Sequence, residues 1–174
     1  PGGKGVNVAR ALTLAGLDTV AVLPAADTDP FVAGLRASGV AYQCVPISGV
    51  VRTNLTITEA DGTTTKLNEP GATLDAEALD ALTRSVVAHA ENASWVVLSG
   101  SLPPGVPDRW YADVVVALAS APCRVAVDTS EHPLEALAAA FGEAAPDVIK
   151  PNAEELAGLV GASAEALEQA VAQG

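Results

Sequence analysis

The sequence predicts an α/β protein built on a mainly parallel sheet with helices on both faces, a three-layer αβα arrangement. Short apolar segments typical of buried strands alternate along the chain with segments that have helical spacing. Such alternation favours β–α–β units, whose strands run parallel. One region departs from this pattern, because residues 52–68 have the polar–apolar alternation and the turn of an antiparallel hairpin.

Two helices are predicted in the first 50 residues, each followed by a glycine that favours helix termination. The first helix covers residues 6–14 and the second covers residues 29–38. Apolar runs after these helices predict two strands, at residues 19–23 and 40–47.

The hairpin is predicted to begin with a strand at residues 52–59, in which apolar side chains occupy one face and polar side chains the other. Asp61-Gly62 is a turn signal, so residues 63–68 are expected to pair back antiparallel. Arg52 and Asn54 lie on the polar face. A solvated edge strand is the structural interpretation of that face, and a polar cover over a site is the functional one.

After the hairpin, four predicted helices alternate with three predicted strands. The helices cover residues 74–90, 107–119, 133–141 and 153–160. The strands cover residues 95–99, 124–128 and 148–150. Ligand sites in open parallel sheets lie beyond the carboxyl ends of the strands. The residues just after these three strands are therefore candidates for a site.

Composition excludes several classes of protein. The chain has 174 residues, of which 49% are apolar, enough for one globular domain with a sizeable core. A net charge of −12 argues against nucleic acid and anionic membranes as partners, since both attract basic patches. No apolar run is long enough to span a bilayer. Cys44 and Cys123 have neither metal-ligand spacing nor a disulfide framework, so we expect a cytoplasmic protein.

A glycine-rich segment, residues 1–5, leads directly into the first predicted helix. Glycine lets a ligand approach the backbone closely, and free N–H groups at a helix start suit an anion. Lys4 adds a positive charge, and Asn7 can bond to a hydroxyl group; a tight turn before a helix is the structural alternative. Gly5 excludes a P-loop, which needs Ser or Thr there, and Val8 stands where a dinucleotide fingerprint needs glycine or alanine.

Polar residues follow two of the later strands. Gly100 and Ser101 come after the strand at 95–99, and Asp128 ends the strand at 124–128. A carboxylate at this edge can face a metal-bound phosphate. An ordinary β–α loop and a helix N-cap are the structural alternatives for these residues.

The third strand ends at Lys150 and is followed by a helix start. Asn152 and Glu155 have the spacing of a capping box, which is the structural interpretation. The same spacing places an amide and a carboxylate side by side at a helix start. Hydrated Mg²⁺ and phosphates can sit there, which is the functional interpretation.

Taken in order, these motifs resemble those of one protein family. They lie at residues 2–11, 52–54, 68–71, 99–105, 128–130 and 150–155. The chain is similar over nearly its whole length to the ribokinase-like (PfkB) carbohydrate kinases. With lysine at position 4, the first motif resembles that of the family branch that acts on fructose 1-phosphate or tagatose 6-phosphate. The branch that acts on fructose 6-phosphate usually has glycine at this position. The resemblance implies a ribokinase-like three-layer fold in which the hairpin, at about residues 51–69, is the family's β-lid.

The resemblance implies ATP-dependent phosphorylation of a ketohexose phosphate. Fructose 1-phosphate is the expected acceptor, with tagatose 6-phosphate and fructose 6-phosphate as alternatives. The implied substrate-binding residues are Gly3, Lys4, Asn7, Arg52, Gly100 and Ser101. Gly3 and Asn7 are expected to hold the sugar hydroxyls. The phosphate already on the sugar is expected to lie against Lys4, Arg52 and Ser101.

ATP and Mg²⁺ are the cofactors that the resemblance implies. Asn152 and Glu155 are expected to arrange Mg²⁺ and the ATP phosphates, with Lys150 near the nucleotide. Asp128 is expected to join Glu155 as a metal ligand. The expected partners are the sugar phosphate, ATP and a second copy of the chain paired through the β-lid.

The resemblance further implies that residues 1–174 are part of one kinase domain. The family's first strand, with its sugar-binding Asp, is expected before Pro1. The Gly-Ala-Gly-Asp motif with the catalytic base is expected after Gly174, so no catalytic residue is assigned within the chain. Residues 172–174 are expected to lie within or just after a helical pattern. A non-catalytic sugar-phosphate-binding module is the alternative from another functional class.

Overall fold

The structure is a computed structural model that describes residues 2–161, 163 and 165. Pro1 and the helical pattern expected at residues 172–174 lie outside the described residues. The described residues form two compact units. Unit 1 extends to Ser85 and includes residues 103–106, and unit 2 contains the other described residues.

Unit 1 contains one parallel pair of strands, one antiparallel hairpin, and helices before, between and after these strands. Its elements in order are α1 (Lys4–Leu14), β1 (Ala21–Pro24), α2 (Pro30–Ala37), β2 (Tyr42–Val45), β3 (Asn54–Thr58), β4 (Thr64–Asn68) and the start of α3 (Ala76–Ala90). Strands β1 and β2 pair in parallel. Their small core consists of Val6, Ala9, Ala21, Leu35 and Val40. This core anchors the start of α1, where the sequence predicts an anion site.

Local chemistry explains where helix α2 begins. Asp29 is its N-cap, and one carboxylate oxygen accepts the Phe31 N–H at 2.8 Å. Pro30 occupies the first helical position, where its missing N–H costs nothing. Val32 and Leu35 then face the core with almost no exposed surface. The N-cap, the proline at the first helical position and the apolar face therefore all indicate that α2 begins at Pro30.

The hairpin forms with the predicted antiparallel pairing, which places Leu55 opposite Leu67. At its turn the Asp61 carboxylate accepts the Thr63 N–H at 2.8 Å, and this bond lowers the pKa of Asp61. Both strands are exposed throughout, with Leu55, Ile57 and Leu67 each about half exposed. The hairpin therefore presents apolar side chains to its surroundings.

Unit 2 is built on a three-stranded parallel sheet in the order β5-β6-β7. Its elements after the end of α3 are β5 (Trp95–Ser99), α4 (Trp110–Ala117), β6 (Arg124–Asp128), α5 (Glu131–Ala139), β7 (Val148–Ile149) and α6 (Ala153–Val160). Ser99 lies opposite Asp128, and Val127 lies opposite Ile149. This register brings the carboxyl ends of all three strands to one edge.

The prediction of a mixed α/β protein with parallel strands is confirmed. Within the described residues the five parallel strands belong to two hydrogen-bonded sheets, one in each unit. Several element ends differ from the predictions. Helix α4 begins at Trp110 because residues 107–109 form a turn in which the Trp110 N–H bonds to the Pro107 carbonyl. Pro133 lies inside α5, which already begins at Glu131. Among the residues that the structure describes, no helix combines the length and apolarity needed to cross a membrane.

Candidate functional site

The start of α1 brings Gly3, Lys4 and Asn7 together within one helical turn. Gly3 precedes the helix with φ of 104°, a conformation that other L-residues rarely adopt. The Asn7 N–H bonds to the Gly3 carbonyl at 2.9 Å, and the Asn7 side chain contacts Arg10 at 3.4 Å. The first turn holds no acidic side chain and Gly3 supplies no side-chain cap. Backbone N–H groups and the Lys4 charge can therefore act together on an anion.

Arg52 lies just before β3, where a neighbouring glycine leaves room for its side chain. A Cβ added to Gly71 would lie 3.3 Å from the Arg52 Cβ, so any other residue at 71 would displace the arginine stem. Glu69 accepts the Thr53 N–H at 2.8 Å. The motif at residues 68–71 thus shapes the backbone and the space around Arg52.

At the carboxyl edge of the unit 2 sheet, Asp128 is the central charged group. Lys150 Nζ lies 3.3 Å from one of its carboxylate oxygens, and Ser99 Oγ lies 3.5 Å from the other. The Asp128 side chain is 22% exposed, so its carboxylate faces solvent only in part. The sheet register thereby brings together Asp128 and Lys150, which the sequence singled out separately.

Gly100 is held at the same edge by two side chains that sequence reasoning missed. Its carbonyl accepts hydrogen bonds from the Tyr111 hydroxyl at 2.9 Å and the Thr129 hydroxyl at 3.2 Å. Its N–H donates to the Asp128 carbonyl at 3.0 Å. Tyr111 and Thr129 are both buried. Ser101, the next residue, is exposed. The conformation of the Gly100–Ser101 segment is therefore set by neighbouring elements.

Burial first, and the negative charge of Asp128 second, raise the pKa of the Tyr111 hydroxyl still further above neutral pH, in keeping with its role as a donor. The sequence contains a weak signal for the role of Tyr111 as a hydrogen-bond donor. A tyrosine in a predicted buried helix needs a partner for its hydroxyl group, although the sequence does not name that partner.

Tyr111→Phe tests this interpretation, because it keeps the ring and removes one of the two donors to the Gly100 carbonyl. We expect the free energy of unfolding of the full-length protein to fall by about 0.5–1.5 kcal/mol, measured by urea denaturation. Tyr42→Phe is the matched control, because Tyr42 is only half-buried in β2. A loss no greater for Tyr111→Phe than for the control would contradict the assigned hydrogen bond.

The capping box predicted at the start of α6 is present. The Glu155 N–H donates to Asn152 Oδ1, and the Asn152 N–H donates to Glu155 Oε2, both at 2.8 Å. One oxygen of the Glu155 carboxylate is therefore engaged by the backbone. Asn152 is exposed and Glu155 is half-buried, and the second Glu155 carboxylate oxygen takes no part in the capping box. The interpretation of Asn152 and Glu155 as a capping box is therefore correct. It does not prevent the same two residues from binding hydrated Mg²⁺ and phosphates.

The residues present fit the needs of Mg²⁺. Mg²⁺ prefers oxygen donors and is usually held by one or two carboxylates together with water and substrate phosphates. Asp128 and Glu155 supply such carboxylates. The described part of the chain contains no group of three or more His, Cys, Asp or Glu side chains that would form a closed metal cage. The donor set suits a cation shared with a phosphorylated ligand.

Parallel strands with polar side chains at their carboxyl ends, and a glycine at a helix start, are features by which α/β proteins bind phosphorylated ligands. Comparison with known proteins supplies the family: the model of the pfkB family carbohydrate kinases matches residues 1–174. The chain therefore belongs to the pfkB family of carbohydrate kinases.

Two curated relatives share more than a third of their aligned residues with the chain. It is 38% identical over 158 residues to a 1-phosphofructokinase of Xanthomonas campestris, covering 89% of the chain and 50% of that protein. It is 36% identical over 171 residues to a 1-phosphofructokinase of Rhodobacter capsulatus, covering 96% of the chain and 53% of that protein. The chain thus spans about half the length of these relatives.

A similar solved structure is that of phosphofructokinase-2 from Escherichia coli in complex with fructose-6-phosphate. It is 32% identical, with a TM-score of 0.81, and the match covers 94% of the chain and 54% of that protein. This likeness agrees with the ribokinase-like α/β fold expected from the sequence.

Proposed function

We propose that the full-length protein transfers the γ-phosphoryl group of ATP to a ketohexose phosphate, with fructose 1-phosphate as the preferred acceptor. The observation that carries the proposal is Lys4, placed directly after Gly3 at the start of α1, where a cation and helix N–H groups can meet an anionic acceptor. The two 1-phosphofructokinase relatives support the same acceptor.

On the acceptor side, we assign the sugar hydroxyls to Gly3 and Asn7, which share one turn of α1. We assign the phosphate already on the sugar to Lys4 and Arg52 in unit 1, and a substrate-binding role to Gly100 and Ser101 in unit 2. Charge-assisted hydrogen bonds from lysine and arginine are the strongest that a phosphate can accept. They also explain how an acidic protein binds an anion, since the positive charge needs only to be local.

On the donor side, we assign Asn152 and Glu155 to Mg²⁺ and the ATP phosphates, with Lys150 near the nucleotide and Asp128 as a second carboxylate. The pair between Lys150 and Asp128 at 3.3 Å supports a shared role for these two residues. When bound, Mg²⁺ would offset the negative charge that develops on the transferring group.

Catalysis of this phosphoryl transfer depends mainly on the positioning of the acceptor and the donor. A hydroxyl oxygen of the acceptor attacks the γ-phosphorus, the bond from phosphorus to the ADP oxygen breaks, and the hydroxyl proton passes to a base. We assign that base to none of the described residues. The role proposed for this chain is to orient the acceptor through Lys4 and Arg52, and the donor through Glu155.

The proposal is tested by comparing kcat/KM of the full-length protein for three acceptors at saturating ATP and Mg²⁺. We expect fructose 1-phosphate to exceed both tagatose 6-phosphate and fructose 6-phosphate. A higher value for either rival would assign the protein to that acceptor instead. Binding of sugar phosphate without turnover of any acceptor would favour the non-catalytic sugar-phosphate-binding module.

Pairing of two copies through the β-lid belongs to the same proposal. The half-exposed side chains of Leu55, Ile57 and Leu67 support it, because a partner strand or lid would bury them. A cytoplasmic location is also proposed, in keeping with the free cysteines Cys44 and Cys123.

A further inference from the structure

Asp29 is a buried carboxylate that does more than cap helix α2. Only 6% of its surface is exposed. One oxygen accepts the Phe31 N–H at 2.8 Å, which satisfies the helix start. The other oxygen accepts the N–H of Val51 at 2.7 Å, across 22 residues of sequence. A buried carboxylate is costly to keep unless its oxygens are bonded, so both contacts stabilise this arrangement.

The second contact falls directly beside Arg52. Val51 precedes the arginine and is held by Asp29, while Thr53 follows it and is held by Glu69 at 2.8 Å. Carboxylates from other segments of unit 1 thus hold the peptide group that follows Arg52 and the peptide group that precedes Val51. Gly71 at the same time gives the arginine stem its space. An otherwise exposed lid arginine therefore has a constrained backbone.

We propose that Asp29 and Glu69 are positioning residues that hold the backbone around Arg52, so that its guanidinium is pre-organised for the acceptor phosphate. This inference rests on the proposed function, because it takes Arg52 as the phosphate ligand. Pre-organisation lowers the conformational entropy lost on binding. Loss of either carboxylate then weakens phosphate binding although neither residue touches the ligand.

Asp29→Ser separates the two roles of Asp29. Serine is as good an N-cap as aspartate, so the helix start keeps its acceptor, but serine has no second oxygen for Val51. We expect the KM for fructose 1-phosphate to rise about fivefold, with the KM for ATP and kcat near their wild-type values. Asp75→Ser is the matched control, because the Asp75 carboxylate accepts the local Ala78 N–H at the start of α3.

Glu69 provides a second test at an exposed position, where folding tolerates substitution. Glu69→Ala removes the acceptor for Thr53 and is expected to raise the same KM about threefold. Glu69→Gln keeps an amide oxygen that can accept the Thr53 N–H, so it is expected to restore most of the affinity. Equal effects of alanine and glutamine would count against the hydrogen bond and hence against the inference.

A double-mutant cycle shows whether Asp29 acts through Arg52. We expect Asp29→Ser to raise the KM for fructose 1-phosphate in the wild-type background and to leave it unchanged when Arg52→Ala is already present. An additive effect in the double variant would overturn the inference, since Asp29 would then act by another route.

Backbone hydrogen exchange keeps this test separate from the test of the proposed function. We expect faster exchange at Val51 in Asp29→Ser and at Thr53 in Glu69→Ala, measured by NMR without substrate. Unchanged exchange would overturn the inference even in an active enzyme. Faster exchange in a protein that phosphorylates none of the three acceptors would instead refute the proposed function and leave the backbone contacts established.

Discussion

Arg52→Ala in the full-length protein is expected to raise the KM for fructose 1-phosphate by about 10- to 100-fold. The KM for ATP should stay near its wild-type value, because Arg52 is assigned to the acceptor alone. The physical reason is the loss of a charge-assisted hydrogen bond to phosphate, which contributes roughly 1.5–3 kcal/mol. Steady-state kinetics with each substrate varied in turn measures both constants.

Arg84→Ala is the control for this experiment. Arg84 is an exposed arginine of α3 in the same unit and pairs with Asp80 one turn away, so its removal changes net charge by the same amount. We expect no change in the KM for the sugar phosphate. If both variants raised that KM equally, the effect would reflect long-range charge, and the assignment of Arg52 would be withdrawn.

Glu155→Gln is expected to lower kcat by about 10- to 100-fold and to raise the Mg²⁺ concentration needed for half-maximal rate. Glutamine keeps an oxygen that can accept the Asn152 N–H, the bond that closes the capping box at 2.8 Å. The fold should therefore survive while the negative charge is lost. Activity measured over a Mg²⁺ titration, beside a thermal unfolding curve, gives both results.

Glu154→Gln is the matched control for Glu155→Gln. Glu154 lies in the same first turn of α6 and loses the same charge, so the helix-dipole contribution changes similarly in both variants. We expect the control to keep normal Mg²⁺ dependence. A normal kcat and Mg²⁺ dependence in Glu155→Gln would mean that Glu155 serves only as a helix cap.

Much of the fold could be predicted because its signals are local. The predicted pairing of the hairpin is present in the structure. It could be predicted because its two signals, strict alternation and an Asp-Gly turn, depend only on neighbouring residues. Helix α6 begins at its capping box for the same reason. Helix ends were less accurate where a turn replaced the first helical residues, as at residues 107–109 before Trp110. Whether residues 107–109 form a turn or the first turn of the helix depends on packing, which residue spacing alone does not reveal.

The candidate site was predictable only in part. Gly3, Lys4 and Asn7 share one helical turn, so their closeness follows from their spacing. Asp128 ends β6 and Lys150 follows β7, and only the register of these two strands brings Lys150 Nζ to 3.3 Å from the Asp128 carboxylate. Thr129 and Tyr111 were missed as neighbours of Gly100, because a hydroxyl in a sequence does not identify its partner.

By itself the sequence determined the kinds of elements, the order of the motifs and the family to which the chain belongs. These depend on periodicity and on residues only a few positions apart. Only the tertiary structure decided that Asp29 bonds to Val51 across 22 residues and that two buried hydroxyls meet at Gly100. Such partners are chosen by strand register and side-chain packing. A long-range hydrogen bond forms where the folded chain brings a donor and an acceptor within about 3 Å, and no local pattern encodes that distance.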